Sequence, residues 1–575
     1  MEDKKNKIIK IVRNSGIILL LVITSIITIT NILYFFKIEI TKWHLPFIYL
    51  LTNIIFILIY KKKNKIINLL ISSMIAILVF AGAITFSGNL YDLSVDGNFY
   101  HKLAIGSLKN GWNPVYENNE DFNKEQGNAI DIEQGSGVLW TDHYTKGNWT
   151  FSAVIYSFTE NIESGKCITI LLMYICFTLI MSYLSKKINL IFSIIIGLLL
   201  VINPITIVQA TNYYIDGDLG LSLFIILYAL IAITDKNCID SKFEKFMILA
   251  CSLIICINVK FTGLAFAGIF CLLFYIYWLY NSKKDSKEQF IKNIKFYTIF
   301  YIITVLISVC IVGYSSYVRN TIEHKNPLYP LFGKDKADII TTMQPNYFSQ
   351  RNVIQKFMIS IFSKGENVTY SYERDDIKPT IKVPFTFTKQ ELSNYNIPDI
   401  RISGFGPWFS GILIISVIIT IYAYYDMIKN KRKNIIVPYS LILLGIVILL
   451  FIIDGNWWAR YTPYLYLVPI FSLIYLVKDK NDKIKFLIGC ILGITMIINS
   501  LMILSVNIKN YENNGAYVEN KLNMFEKYSI DKDVVKIKLT DYIYQGALYN
   551  LCDKNINFEL DDKIEGKNEG YFFTY

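Results

Sequence analysis

The chain has 575 residues, 53% of them hydrophobic and only 18% charged, with a mean hydropathy of +0.38. A water-soluble protein of this size carries more charge and a negative mean hydropathy, so the composition indicates a polytopic membrane protein. The formal net charge of +11 reads first as topology, because Lys and Arg concentrate in loops kept in the cytoplasm; no nucleic-acid partner is expected.

In chain order, a basic stretch from Lys4 to Arg13 leads into an apolar run that is too long for a signal-peptide core, so it is read as a retained helix. Apolar runs then predict roughly thirteen spans of an all-α bundle. Three lie at Ile17–Phe36, Leu45–Tyr60 and Ile66–Phe86, and six more at Cys167–Leu184, Ile188–Val208, Leu219–Thr234, Phe246–Val259, Phe261–Tyr280 and Phe296–Gly313. The last four are Pro407–Ile428, Ile435–Ile453, Pro463–Val477 and Phe486–Val506.

This count puts Lys61-Lys62-Lys63, Lys186-Lys187, Lys242/Lys245, Lys283-Lys284, Lys431-Arg432-Lys433 and Lys480/Lys483/Lys485 on the side of the basic N-terminus. That side is read as cytoplasmic, with the C-terminus outside. The transmembrane module is expected over 1–506. Its two long outer loops are 87–166 and 314–406, and a small outer α/β segment follows at 507–575. Six of the nine cysteines fall inside apolar runs, which argues against a disulfide framework.

The chemistry-bearing residues fall on the outer side. "YDLSVDGNFYH" follows the third span and places Asp92, Asp96 and His101 near the membrane surface. The apolar spacing of Phe99, Leu103, Ile105 and Leu108 suits a helix lying flat in the interface. A carboxylate above such a helix is placed to take a proton from an incoming hydroxyl or amine, although Asp96-Gly97 equally suits a turn. Asp216 and Asp218 open a helix, where acids also serve as caps. The pair is too few oxygens for a cation, so no metal or other cofactor is expected. Lys260 interrupts an apolar stretch at an outer turn, and Arg319 and Arg460 flank outer helix ends; all three are cations suited to a lipid phosphate. Trp457 and Trp458 read as interface-belt aromatics, and His143 and His324 show no local zinc spacing.

The order of "YDLSVDGNFYH", "NP" before an acidic turn, "KFTG", "NPLYPLFG" and "ARYTPYLYLVP" resembles the GT-C membrane glycosyltransferases. The likeness is to the bacterial branch of the protein mannosyltransferase and aminoarabinose transferase kind, and it covers about the first 480 residues. It implies an inverting transferase of the bacterial inner membrane that moves a sugar from a polyprenyl-phosphate donor to a lipid, glycan or protein acceptor outside the cell. By position, Asp96 would be the base, with Asp92 in reserve. Lys260, Arg319 and Arg460 would contact the donor phosphate, and His101, Asp216 and Asp218 the substrate. The sequence departs from many mannosyltransferases in having Asp96-Gly97 where they have adjacent acids. A polysaccharide polymerase or O-antigen-ligase-like enzyme is the alternative, with a lipid or solute transporter third.

Overall fold

A computed structural model describes every residue except 1, 63, 127–135, 239, 335, 368–377, 480, 532, 533, 562, 565–571 and 575. Lys63 and Lys480 of the basic loops therefore lie outside the described residues. Eight described helices are long and apolar enough to cross a membrane: Lys4–Phe35, Ile66–Gly88, Ile162–Leu184, Asp216–Thr234, Phe261–Lys284, Lys287–Val312, Phe409–Lys429 and Lys483–Ile530. The chain is an α-helical membrane protein. The other expected spans are helical but shorter or more polar: His44–Tyr60, Leu190–Val201, Lys242–Val259, Lys433–Ile452 and Leu467–Val477.

Two boundaries differ from the sequence reading. The run Ile188–Val208 is not one helix, because Asn203 accepts hydrogen bonds from the Ile205 and Thr206 amides and Pro204 stands at the first turn of a new helix, Pro204–Gln209. An Asn cap with Pro in the first turn starts a helix, and the residue before Pro resists helical geometry, so the preceding helix stops. At the other end, the last span does not stop at Val506. It runs through a π-turn at Tyr511–Gly515 into Ala516–Asp531, since no Pro or capping Gly interrupts Lys483–Asn510.

The core sits around Asp216–Thr234, of which 83% is buried, whereas Lys287–Val312 is 17% buried and turns Ile299, Ile302, Val305 and Leu306 outward. Such a gradient suits a bundle whose outer helices face lipid. At one end, Arg13 is buried against Asp240 (2.8 Å) and Glu244, and Lys187 pairs with Asp235. At the opposite end the long connections fold together.

The tail beyond the last span carries a three-stranded sheet of order β2-β1-β3, with β1 Val535–Leu539 parallel to β2 Phe558–Leu560 and antiparallel to β3 Phe573–Thr574. It is docked on the first long connection. A Cβ on Gly106 would lie 2.0 Å from the Tyr549 ring, so the two elements meet at bare backbone. Asn550 accepts from Lys102 Nζ (3.0 Å) and donates to Glu163 (2.9 Å). Asp553 accepts from the Tyr156 hydroxyl (2.6 Å) and the Ile162 amide (2.8 Å). This docking corrects the flat interfacial helix expected over Phe99–Leu108. A π-turn, Gly97–His101, leads into the helix Lys102–Lys109, whose residues 102–108 are all buried because the tail covers the face that would have met water.

Burial pushes the Asp553 carboxyl up to about 7, against the opposing hydrogen bonds of Tyr156 and Ile162. A carboxyl raised above its ordinary value of about 3.9 favours the docked tail below that value and loses this contribution as pH rises through about 7. Proteolytic release of the tail is therefore expected to rise between about pH 5 and pH 8, and Asp553→Asn is expected to flatten that rise.

Candidate active site

The first connection is anchored before it reaches Asp96. Asp92 is fully buried and accepts from the Ser94 amide (2.7 Å) and from the Tyr213 amide (2.8 Å), 121 residues further along. This pins the turn carrying Asp96 to the turn that opens the Asp216 helix. A Cβ at position 97 would sit 1.9 Å from Asp92 Oδ2, which accounts for glycine after Asp96. Each Asp92 oxygen is engaged by a backbone amide and the side chain is fully buried, so the carboxylate ties the two turns together.

Asp216 begins its helix without capping it. Gln209 Oε1 instead accepts the Gly217 amide (2.7 Å), which leaves the Asp216 carboxylate to Lys260 Nζ (2.5 Å). Arg460 then gathers the acids. Its Nη1 lies 3.3 Å from Asp96 and 3.8 Å from Asp216, and its Nε 3.4 Å from Asp399. The guanidinium is 4.1 Å from the Trp458 ring centroid and 5.3 Å from that of Tyr461, which also lies 4.3 Å from Lys260 Nζ. Asp96, Asp216, Lys260 and Arg460 thus form one contiguous group at helix termini on one end of the bundle. Asp96, with 18% of its side chain exposed, is the most accessible of the three acids.

Asp399 was not singled out from the sequence; the signal available was an acid in "NIPDIRISGFGPW" just before a span. Burial pushes its carboxyl up to about 6, opposed by Arg460 and Arg401 and reinforced by Asp96 and Asp216. His101 is also buried. Trp149 Nε1, which can only donate, bonds its Nδ1 at 2.6 Å, so the proton sits on Nε2. Burial lowers its pKa to about 3, and it lies in the field of Asp216, Lys260 and Arg460 as a neutral ring. Among the described residues, His101 Nε2 and Trp458 Nε1 are buried without a hydrogen-bond partner.

No protein-family model, no curated protein and no solved structure matches the chain. Any assignment therefore stands on this geometry.

Two expected site residues, Arg319 and Asp218, lie apart from the group. Arg319 donates to the Pro114 and Glu117 carbonyls, the Asn118 side chain and Glu323, so it ties the two long connections together and makes no contact with Lys260 or Arg460. Asp218 faces Asn148 (2.5 Å), away from the pair that Asp216 makes with Lys260, so the Asp-x-Asp pair does not converge on one point. Trp457 and Trp458 are 1% and 0% exposed, packed with Phe348 and Ile402, and are not belt aromatics. The second long connection folds over them, with Ser360 Oγ donating to the Trp457 carbonyl (2.6 Å).

Removing Arg460 would leave three carboxylates facing one another out of water. Arg460→Met is expected to cost about 3–5 kcal/mol of stability. Adding Asp399→Asn to that variant should recover part of the loss, read as the denaturation midpoint in detergent.

Proposed function

We propose that the protein is an inverting glycosyltransferase that uses a polyprenyl-phosphate sugar and acts on the extracytoplasmic face of a bacterial cytoplasmic membrane. In this reading the chain crosses the membrane thirteen times, with its N-terminus inside and its tail outside. The observation that carries it is the convergence of Asp96, Asp216, Asp399, Lys260 and Arg460, from five separate connections, at the end where the long loops meet. Charges gathered at one surface, not at mid-bundle, suit chemistry on a headgroup better than transport.

Asp96 takes the proton of the acceptor hydroxyl or amine while that atom attacks the anomeric carbon. The bond from that carbon to the phosphate oxygen breaks, its electron pair leaves with the phosphate, and the anomeric centre inverts. Lys260 and Arg460 stabilise the charge that builds on the leaving group, commonly the larger contribution to such catalysis. A cavity of about 300 Å³, lined by Leu253, Ile257, Leu264, Gly268, Tyr301 and Val305, is apolar and begins within a turn of Lys260 in the chain. It suits the donor's hydrocarbon tail.

Purified protein incubated with polyprenyl-phosphate monosaccharides should release free carrier. Asp96→Asn should slow release by about 10²–10⁴-fold with donor binding kept, whereas Lys260→Met should weaken donor binding itself. Full activity in Asp96→Asn would remove the base from this role. Consumption of lipid-linked oligosaccharides alone would point to a polymerase or ligase, and release from no carrier to transport.

A further inference from the structure

Away from the Arg460 group, the two long connections bring together two histidines and a glutamate that are remote in sequence. One donor atom from each of His143, Glu323 and His324 lies within 4.8 Å of the others. His143 ends the helix Ser136–His143, and Glu323 and His324 close the helix Arg319–His324. Local spacing could not reveal this set, because its members come from segments about 180 residues apart.

Each side chain is oriented by a neighbour. Asn320 is buried, and its Nδ2 donates to the His143 carbonyl (3.1 Å) and the Tyr329 carbonyl (2.9 Å). Both amide hydrogens are spent, so the Asn320 atom 2.8 Å from His143 Nδ1 is an acceptor, and Nδ1 must carry the proton. The neutral ring then offers Nε2 as a free lone pair. This is the arrangement in which a carbonyl partner fixes the tautomer of a metal-binding histidine. Arg319 Nε holds Glu323 Oε1 at 2.7 Å, which leaves Oε2 uncommitted among the described contacts. Tyr329 stacks on His324 with ring centroids 3.8 Å apart and planes 6° from parallel, which fixes the plane of that imidazole. The two imidazoles stand at 89° with centroids 4.8 Å apart.

We propose that His143, Glu323 and His324 bind a divalent transition-metal ion of the zinc class and thereby clamp the first long connection to the second. Two imidazole nitrogens and one carboxylate oxygen suit zinc and its neighbours, whereas magnesium and calcium prefer oxygen alone. Three protein ligands leave a fourth tetrahedral position for water. Bonds of about 2.0–2.1 Å bring tetrahedral donors to roughly 3.3 Å apart, so closure needs only a small swing of the exposed Glu323 and His324 side chains. Arg319 already bridges the same two connections through Pro114, Glu117 and Asn118, and the ion adds a second tie beside it. The proposal is independent of the transferase reading.

The test uses full-length protein purified through a histidine-free tag, stripped with chelator and titrated with Co(II). One equivalent should produce the visible d–d absorption of a tetrahedral nitrogen–oxygen site, and Zn(II) should displace it. His324→Ala and Glu323→Gln alter exposed side chains and so preserve the fold; each should weaken Co(II) binding at least about tenfold. His44→Ala, at a histidine remote in sequence from the cluster, should leave binding unchanged. No cobalt band in the wild type, or a band of unchanged affinity in both His324→Ala and Glu323→Gln, would overturn the proposal.

Discussion

A guanidinium withdrawn from water survives only among partners, and Arg460 is the group on which the loop-rich end of this protein depends. Asp96 comes from the first long connection, Asp399 from the second and Asp216 from the start of the central helix, and all three reach Arg460, which itself precedes a late span. Lys260 joins through Asp216. One cation therefore holds four separate stretches of chain in register. Buried ion pairs of this kind add little stability over a well-packed apolar core, because desolvation offsets most of the attraction. A five-member buried charged group is costly as a fastening. On the transferase reading, chemistry at the site accounts for it.

A second buried network sets the backbone beneath the first. Glu163 pairs with Lys102 and Lys166 and accepts from the Asp92 amide (3.0 Å), and Asn550 of the tail completes the set. Asp92 belongs to both layers, with its amide in this network and its carboxylate on Tyr213, next to the turn that carries Asp216. The tail thus acts on the candidate site at one remove. By satisfying Lys102 and covering Gly106 it holds the short helix that follows His101, and that helix sets where the Asp96 turn begins.

Much of this was legible in the sequence because a membrane imposes a strong pattern. Long apolar runs mark helices by length alone, and the alternation of basic loops puts Asp96, Asp216, Lys260 and Arg460 on one side before any coordinates exist. What could not be read was choice among partners. Arg319 and Arg460 look alike in sequence, yet one lies among backbone carbonyls and the other among carboxylates. Asp216 looked like a cap until Gln209 proved to fill that place. The burial of Trp457 and Trp458 depends on a connection folding back from about 100 residues upstream, as the Ser360 bond shows, and His143 meets His324 for the same reason. Periodicity and spacing are local signals, and these contacts are not.

The balance of charge within the group bears on how a phosphate would enter it. Asp96, Asp216 and Asp399 outnumber Lys260 and Arg460, so at rest the cations are already supplied with partners. On the transferase reading, an arriving phosphate competes for Arg460 and does not fill a bare positive pocket. Exchange of one anion for another keeps the guanidinium paired throughout, which avoids the large desolvation cost of an isolated buried cation. Asp399, already raised to about 6 by burial, is the acid best placed to take up a proton as negative charge accumulates. The carboxylate released by the exchange is most readily Asp96, the most exposed of the three. On that reading, the guanidinium that holds the connections together also occupies Asp96 until a donor is bound, with no moving domain required.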